Sequence, residues 1–437
     1  MIPNIIFILL LIAAILFFYK NVKTITRNIN RGKDLDLSDQ KPKRWKLMFL
    51  VTILQSKMLS RPLVGILHIF VYFGFIIVNV EMLEILIDGI WGSHRIFSFT
   101  ENLYPILITI FELFALSVIL ACITFLVRRN ILRVKRFWSK EMTTWPRSDA
   151  NIILITEVFL MSAIFMMNAC DSILQERLVD HYVNVGDFPL SGLFIPLFEG
   201  LSTNTLIFLE RFGWWFHIIG VLVFLNYIPY SKHFHVFLAF PNVWYSRLEP
   251  KAQMSDMPSI TKEVKLMFDE SFETPEEECE TEEIVFGAKN IEDLTWKNLM
   301  DAYSCTECGR CTSRCPANIT GKLLSPRKIM MDVRDKLESI RKAKDEDIDK
   351  RTLFDFIQPE ELWACTTCNA CATECPVNIE PLSIIMELRR FLVLEEAAAP
   401  APINSMFTNI ENNGAPWQFS PEDRMLWAEE LYVNENV

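Results

Sequence analysis

Residues 305–316 read Cys305-Thr-Glu-Cys308-Gly-Arg-Cys311-Thr-Ser-Arg-Cys315-Pro316, and residues 365–376 repeat the spacing as Cys365-Thr-Thr-Cys368-Asn-Ala-Cys371-Ala-Thr-Glu-Cys375-Pro376. This C-x2-C-x2-C-x3-C-P spacing is typical of a pair of [4Fe–4S] clusters. Three closely spaced thiolates wrap three corners of one cubane, and the chain turn at proline carries the fourth thiolate to the other cluster. Zinc, the alternative metal, takes four ligands, usually as two separated pairs. The two complete sets of three plus one therefore favour iron–sulfur clusters.

The spacing predicts two ligand sets, each with its fourth cysteine taken from the other run. One set is Cys305, Cys308, Cys311 and Cys375, and the other is Cys365, Cys368, Cys371 and Cys315. Eight of the eleven cysteines are used in this way. Thiolates that are kept free for metal imply a reducing compartment, so this part of the chain is expected to face the cytoplasm.

The composition divides the 437-residue chain into an apolar half and a polar half. Hydrophobic residues make up 51% of it and the net charge is −11, without the basic stripe that nucleic-acid binding needs. We predict a membrane domain over 1–240, an acidic linker over 241–290, a two-cluster domain over 291–398 and a docking tail over 399–437. The linker includes Asp269–Glu283, which holds nine acidic residues, and Cys279, which we interpret as an ordinary free thiol.

Five segments are long and apolar enough to span a bilayer, where about 20 residues are needed. They are Ile2–Tyr19, Leu63–Leu86, Pro105–Val127, Asn151–Cys170 and Phe212–Tyr230. The first segment lacks a basic start and a small-residue cleavage site, so we expect a retained helix and not a signal peptide. The chain is therefore predicted to be all-α, with a five-helix membrane bundle before the cluster domain.

Loop charges predict the orientation of this bundle. Residues 20–62 carry eleven Lys or Arg and residues 128–150 carry seven, whereas the loop at 89–104 has only Arg95. Basic loops face the cytoplasm, which places the N-terminus outside and the cluster domain inside. We therefore expect a multi-pass protein of the bacterial inner membrane. Part of the first basic loop, Trp45–Leu59, is amphipathic enough to lie along the membrane surface.

Histidines at membrane depth are candidate haem ligands, because ionisable residues there are costly. His217 and His235 are eighteen residues apart. In a helix that continued past Pro229 they would share one face, about 27 Å apart. His68 begins the second segment on the cytoplasmic side, so we predict that His68 and His235 hold one b haem. His233 points roughly the opposite way from His235.

A second, outer haem on His217 is left open by the sequence. No histidine lies on the outer half of the second segment, although His94 and His181 in the outer loops could fold back. Carboxylates also lie within the apolar segments. These carboxylates are Glu112 and Glu157, with Glu81 and Glu84 toward the outer end of the second segment. They could serve a proton path for quinone chemistry, or they could form paired structural groups.

The cluster domain itself is predicted to be helical. Ser325-Pro326 is a plausible helix start, with serine as the cap and proline at the first helical position. Pro381 opens another helix through Leu394. The fifty residues between the runs are filled by helix, which indicates an α-helical ferredoxin. There is no nucleotide fingerprint and no catalytic triad, so the cofactors carry the chemistry.

The membrane half resembles the γ subunit of respiratory nitrate reductase. Five helices with an outer N-terminus match, as does the string from Phe216-His217 to Pro229-Tyr-Ser-Lys-His-Phe-His235. The resemblance places haem ligands at His217, His235 and His68. That family has a further histidine ten residues after the position of His68, where this chain has Val78, followed by Asn79. Valine cannot bind iron, which puts the outer haem in doubt.

The soluble half resembles the ferredoxin module of heterodisulfide-reductase-type proteins, in particular bacterial electron-transfer-flavoprotein–menaquinone oxidoreductases. The matching strings are Leu294-Thr-Trp296, the two cysteine runs, Thr320-Gly-Lys-Leu-Leu-Ser-Pro326-Arg, and a tail from Asn409 to Trp427. In that family the tail precedes cysteine-rich CCG domains. The resemblance implies that these domains lie on a separate iron–sulfur subunit, with electron transfer flavoprotein as the further partner.

These observations predict a membrane-bound electron-transfer subunit. It would connect a cytoplasmic redox partner to the menaquinone pool through two [4Fe–4S] clusters and b haem. One alternative keeps the cofactors and reverses the flow, so that quinol oxidation feeds a cytoplasmic disulfide-type acceptor. The other is a redox-sensing membrane anchor. The complete set of eight cluster ligands together with membrane histidines argues against a sensor, which has little need of a transmembrane haem.

Overall fold

The computed structural model describes residues 2–250, 253–269, 285–342 and 349–433. Within these ranges the chain is helical and has no strand, apart from an isolated parallel bridge between Lys33 and Thr295. The predicted all-α class is thus confirmed for the described residues. Cys279 and the acidic stretch around it lie outside them.

The membrane half contains eight α-helices. They are α1 (Ile2–Ile29), α2 (Lys41–Met48), α3 (Pro62–Trp91), α4 (Tyr104–Leu126), α5 (Thr144–Glu176), α6 (Ile195–Phe198), α7 (Thr203–Tyr227) and α8 (His235–Trp244). Five helical segments are long and apolar enough to cross a bilayer, namely those at Ile2–Ile29, Pro62–Trp91, Ile96–Ile131, Thr144–Glu176 and Thr203–Tyr230. The prediction of five apolar helices is confirmed, and each helix begins or ends beyond its predicted apolar segment.

Close helix contacts hold this bundle together. The main pairs are α5 with α7, α3 with α4 and α4 with α5. Gly220 faces Leu160 so closely that a Cβ at Gly220 would lie 2.5 Å from a Leu160 methyl carbon, and Gly74 meets Val118 in the same way. Small residues at helix crossings let apolar helices approach each other, which is how membrane helices gain packing energy.

The predicted continuous helix from His217 to His235 is wrong. Helix α7 ends at Tyr227, a 3₁₀ turn follows at Ile228–Tyr230, and Ser231 is extended with φ −113° and ψ 153°. Asp149 stabilises the break by accepting hydrogen bonds from the Ser231 hydroxyl at 2.6 Å and the Lys232 amide at 3.1 Å. His235 therefore begins a new helix, and the five-turn spacing between the two histidines does not apply.

The polar half continues with α9 (Pro258–Phe268), α10 (Trp296–Ser304), α11 (Arg310–Arg314), α12 (Pro316–Ile319), α13 (Pro326–Lys342), α14 (Pro359–Trp363), α15 (Ala370–Glu374), α16 (Pro381–Leu394), α17 (Ala401–Asn413) and α18 (Leu426–Val433). As predicted, α13 begins at Pro326, and the Ser325 hydroxyl accepts a hydrogen bond from the Lys328 amide at 3.4 Å. Helix α16 runs from Pro381 to Leu394, also as predicted.

The chain forms two compact units. The first comprises Met1–Asp256 and Asn290–Ile384, so the apolar helices and both cysteine runs belong to one body. The second comprises Met257–Lys289 and Ile385–Val437. Inside the second unit, the Ala288 amide donates to the Glu387 carbonyl at 3.0 Å, and Gly287 adopts a φ of +78° close to the same backbone.

Candidate iron–sulfur and haem site

The two cysteine runs fold into the same loop. Glu307 and Gly309 in the first run have φ values of +54° and +69°, and the equivalent Thr367 and Asn369 in the second run both have +55°. These left-handed residues curl each loop around its cysteines. The Thr367 amide consequently donates to the Cys365 sulfur at 3.4 Å. Short helices α11 and α15 then carry the third cysteine of each run and pack against each other.

The folded loops gather the cysteines from both runs. Cys305, Cys308 and Cys311 line a common cavity together with Cys375 and Cys371. Electrostatic interactions also join Cys375 to Cys308 and Cys305, and join Cys371 to the group of Cys365, Cys315 and Cys368. Cys375 thus lies with the first three cysteines of the first run, and Cys315 interacts with Cys371 of the second run.

The chemistry of these thiols fits a bound iron–sulfur cluster. Burial and then the neighbouring thiols raise the pKa of Cys375 and of Cys371 to about 12. A crowded set of buried thiols loses its protons readily only when a cationic centre offsets the negative charge. Among the described residues, no group of three or more His, Cys, Asp or Glu side chains has the arrangement of a single-ion site.

The first cysteine run is buried against the membrane half by charged side chains. The Arg310 guanidinium, between Cys308 and Cys311, donates to the Lys57 carbonyl at 3.1 Å. The Glu307 carboxylate pairs with Lys232 on one oxygen and with Arg334 on the other. Burial alone would raise the pKa of Glu307, but Arg334 and Lys232 hold that pKa below its ordinary value.

The second cysteine run is more open. Cys368 and Thr366 are exposed, and its intervening residues are Thr, Thr, Asn and Ala, without a charge before Cys371. Glu374, between the third and fourth cysteines of this run, forms two partly exposed ion pairs. Its Oε2 lies 3.8 Å from the Arg61 Nη2, and its Oε1 lies 3.3 Å from the Arg314 Nε. The same loop geometry therefore occurs in two environments: the first run is buried with charged side chains between its cysteines, and the second is more accessible and has no charged side chain before Cys371.

Three histidines gather where the first run meets the bundle. His233 and His235 have ring centroids 5.5 Å apart, and both His68 and His233 interact electrostatically with His235. His68 also interacts with Arg310 of the first run. That His68 and His235 hold one haem stays a prediction, and His235 reaches this group from a new helix.

The ring nitrogens fit haem ligation. The His235 Nδ1 faces the Lys232 carbonyl at 3.1 Å, which leaves the Nε2 lone pair for a metal when Nδ1 carries the proton. Burial lowers the pKa of His235, which favours the neutral imidazole that ligation requires. His68 Nδ1 is buried and has no hydrogen-bond partner among the described residues. His68 and His235 are therefore the residues that would hold a haem here, where it would supply one-electron transfer.

His217 lies deeper in the bundle, away from this group. Its Nδ1 faces the Leu160 carbonyl at 3.0 Å, again leaving Nε2 available. The expected partner position is filled by Val78, which packs with Leu160 in the bundle core. Asn79 is exposed and donates to the Phe75 carbonyl of its own helix at 2.5 Å. Neither residue offers His217 an opposing ligand.

The histidines of the loops after α3 and α5 border a different cavity. His94 and His181 have ring centroids 5.1 Å apart and line a cavity of about 260 Å³ at the C-terminal end of α3. Glu81 and Glu84 line the same cavity. The Glu81 carboxylate is buried, and its Oε2 has no hydrogen-bond partner among the described residues.

The two carboxylates predicted for a proton path differ in their surroundings. Glu112 accepts hydrogen bonds from the amides of Leu190 and Ser191, from the Ser191 hydroxyl and from Asn168. This carboxylate therefore ties the loop before α6 to the bundle. Glu157 is half-buried and interacts electrostatically with Cys122.

Sequence reasoning missed the charged residues that join the two halves. Lys232, Glu307 and Asp149 are buried together, yet their separation along the chain hides the relationship. One available signal was a lysine between Ser231 and His233 in an otherwise apolar stretch. Another was a glutamate within the first cysteine run where the second run has threonine.

Comparisons with known proteins support the iron–sulfur part of this site. Residues 304–379 match the 4Fe-4S dicluster domain family. The probable iron-sulfur-binding oxidoreductase FadF of Bacillus subtilis (strain 168) is 27% identical over 97% of this chain. The EtfAB:quinone oxidoreductase of Syntrophomonas wolfei subsp. wolfei is 27% identical over 99% of this chain. The chain spans 60% of the length of each of these two relatives.

A third relative matches a shorter part of the chain. It is one of the subunits of the ferredoxin/F(420)H(2)-dependent CoB-CoM heterodisulfide reductase of Methanosarcina acetivorans, and it is 35% identical over 23% of this chain and 52% of its own length. No solved structure matches the chain. These matches confirm the predicted iron–sulfur, electron-transport character and the likeness to heterodisulfide-reductase proteins.

Proposed function

We propose that this chain is a membrane-bound electron-transfer subunit that connects a cytoplasmic redox partner with the menaquinone pool. Cys305, Cys308, Cys311 and Cys375 would hold one [4Fe–4S] cluster, and Cys365, Cys368, Cys371 and Cys315 the other. His68 and His235 would hold a b haem, with His217 as a ligand of an outer haem. Bound there, these groups would supply one-electron transfer in series.

The observation that carries this proposal is the contact of the first cysteine run with both haem-ligand segments. Arg310 contacts the turn at Lys57–Ser60, which leads into α3 and His68. Glu307 contacts Lys232, three residues before His235. Electron transfer needs its carriers close together, and this loop contacts the segments that lead into the two predicted haem ligands.

The environments of the two runs suggest an order for the carriers. The second run exposes Cys368, so a soluble partner can approach its cluster. The first run is buried against the histidines. We therefore assign the second run to exchange with the partner and the first run to exchange with the haem.

The contacts of the basic loops support a cytoplasmic position for the cysteine module. Lys57, from the basic stretch 20–62, donates to the Cys375 carbonyl at 3.1 Å. Arg327 of α13 donates to the Arg136 carbonyl, from the basic stretch 128–150, at 2.7 Å. Both basic loops and the module thus lie at the same end of the helices, in agreement with a cytoplasmic side.

The partner and the quinone rest on the comparisons and on composition. The name of the Syntrophomonas relative specifies electron transfer flavoprotein and quinone. We propose the same partners here, with a CCG-type iron–sulfur subunit between the flavoprotein and this chain. Glu112 and Glu157 remain candidates for the proton path that quinone reduction requires.

The full-length chain purified in detergent tests this function. We expect about eight iron atoms per chain and a b-type α band in dithionite-reduced minus oxidised spectra that also grows with a menaquinol analogue. His68→Ala should lose the inner haem while keeping its iron–sulfur iron, because it removes one of the two predicted ligands. His181→Ala, on the outer side, is the matched control and should keep the inner haem and the iron–sulfur iron. A wild-type chain without haem would instead favour the redox-sensing anchor.

The reverse direction is a second candidate. The similarity to a heterodisulfide reductase subunit is compatible with quinol oxidation that feeds a cytoplasmic acceptor. Redox titration of the clusters and the haem in the same preparation separates the two directions. Clusters with lower potentials than the haem favour flow toward quinone, and the opposite order favours flow away from it.

A further inference from the structure

Lys232 bridges the two halves of the site through two different atoms. Its ammonium pairs with Glu307, which is adjacent to Cys308 in the first cysteine run. Its backbone carbonyl faces the His235 Nδ1 at 3.1 Å. One residue thus contacts the loop around one predicted cluster and the ring of one predicted haem ligand.

The surroundings of Lys232 fix both of these contacts. The Nζ also donates to the Pro146 carbonyl at 2.6 Å, and the side chain is only 9% exposed. The Lys232 amide donates to Asp149 at 3.1 Å, and Asp149 also accepts from the Tyr227 hydroxyl at 2.5 Å. The turn that carries Lys232 is therefore anchored on α5 and at the end of α7.

The partner of Lys232 is held just as firmly. Arg334 pairs with the second oxygen of Glu307 and also donates to the Cys305 carbonyl at 3.2 Å. The Glu307 carbonyl accepts from Arg327 at 3.3 Å. A buried carboxylate with two cations has little freedom to move, so the cysteine loop follows the position of Lys232.

We propose that Lys232 is a positioning residue for electron transfer between the first cysteine run and the His68–His235 haem site. Its side chain sets the distance of the cysteine loop from the histidines, and its carbonyl sets the tautomer and plane of the His235 ring. The inference rests on the proposed function, and it identifies the residue that would set the path of the electron between the first cluster and the haem. Outer contacts of this kind commonly change metal-site behaviour by about 10–100-fold when they are removed.

Flash reduction of the full-length chain in nanodiscs tests the route. A photogenerated one-electron reductant in the aqueous phase reduces the clusters, and the haem α band then reports arrival of the electron. We expect Lys232→Gln to slow the appearance of the haem band about tenfold or more, with unchanged iron and haem content. The low-temperature EPR spectrum of the oxidised haem should stay that of wild type, because Lys232→Gln keeps the backbone carbonyl that faces the His235 Nδ1. A slower rate then reports the position of the cysteine loop.

Lys336→Gln is the matched control. Lys336 is similarly buried, and its ammonium contacts Asp349 in the module without touching the histidines or the cysteine runs. It should keep the wild-type rate and EPR spectrum. Should Lys232→Gln fail to assemble with its cofactors, Glu307→Gln replaces it, because it weakens the same bridge from the other side while Lys232 keeps its turn.

The outcomes separate this inference from the proposed function. Equal haem-reduction rates in wild type and in Lys232→Gln, with both cofactors present, would overturn the positioning role alone. An equal slowing in Lys336→Gln would do the same, since it would indicate a general loss of stability. A wild-type chain whose haem never receives an electron from the clusters would overturn the proposed function as well.

Discussion

The two cysteine runs share one loop geometry and have opposite surroundings. The first run carries Glu307 and Arg310 between its cysteines, and both side chains bond to the membrane half. The second run carries threonine, asparagine and alanine there, and Cys368 is exposed. The spacing of the cysteines therefore predicts the kind of cofactor. The residues between the cysteines decide which run packs its side chains against the membrane half and which run stays accessible to solvent.

Removal of one cluster ligand from each run should give the largest contrast. Cys308→Ser and Cys368→Ser are each expected to lose about half of the chain's iron, because each removes a ligand of one cluster. The haem of Cys308→Ser should no longer be reduced rapidly after a flash. In Cys368→Ser the haem should still accept electrons from a small reductant that reaches the first cluster.

Iron analysis and flash kinetics on the same samples check this contrast. If both variants lost haem reduction to the same extent, the assignment of the first run to the haem side would be wrong. Cys122→Ser, a buried cysteine of the membrane bundle outside both runs, is a suitable control and should keep its iron.

Equivalent substitutions at the second intervening position should differ in stability. Glu307→Gln leaves Lys232 and Arg334 without their buried carboxylate, and breaking a buried pair in this way costs about 3–5 kcal/mol. Thr367→Gln at the matching place of the second run alters a partly exposed side chain and should change stability by less than about 0.5 kcal/mol. Thermal unfolding of both proteins in the same detergent gives the comparison. Similar losses in both variants would contradict the docking role of the first run.

The smallest expected effect concerns the ion pairs of the second run. Glu374→Gln removes partly exposed contacts with Arg61 and Arg314, which are worth about 0–1 kcal/mol. Salt screens exposed pairs, so the difference from wild type should disappear in 1 M salt, where the Debye length is about 3 Å. The effect of Glu307→Gln should persist there, since that pair is buried. If salt reduced the stability change of Glu307→Gln as much as that of Glu374→Gln, the distinction between a buried first run and an exposed second run would be wrong.

Much of this architecture could be predicted because its signals are local. The C-x2-C-x2-C-x3-C-P spacing predicts an iron–sulfur module, and uninterrupted apolar length predicts five helices. Pro326 and Pro381 predict where two helices begin, since proline suits the first helical turn. The break after Tyr227 was not foreseen. Pro229 weakens a helix without specifying where it stops, and the hydrogen bonds from Ser231 and Lys232 to Asp149 define the stop.

The sequence by itself determined the chemistry that this protein can hold, because thiolate spacing and membrane histidines limit the available cofactors. Only the tertiary structure decided which cysteine run lies against His68 and His235. That choice depends on buried charges from distant parts of the chain, Lys232 with Glu307 and Arg310 with the turn at Lys57. Such pairs join residues that are far apart in the sequence and become buried only when the helices pack together. No short sequence pattern therefore predicts them.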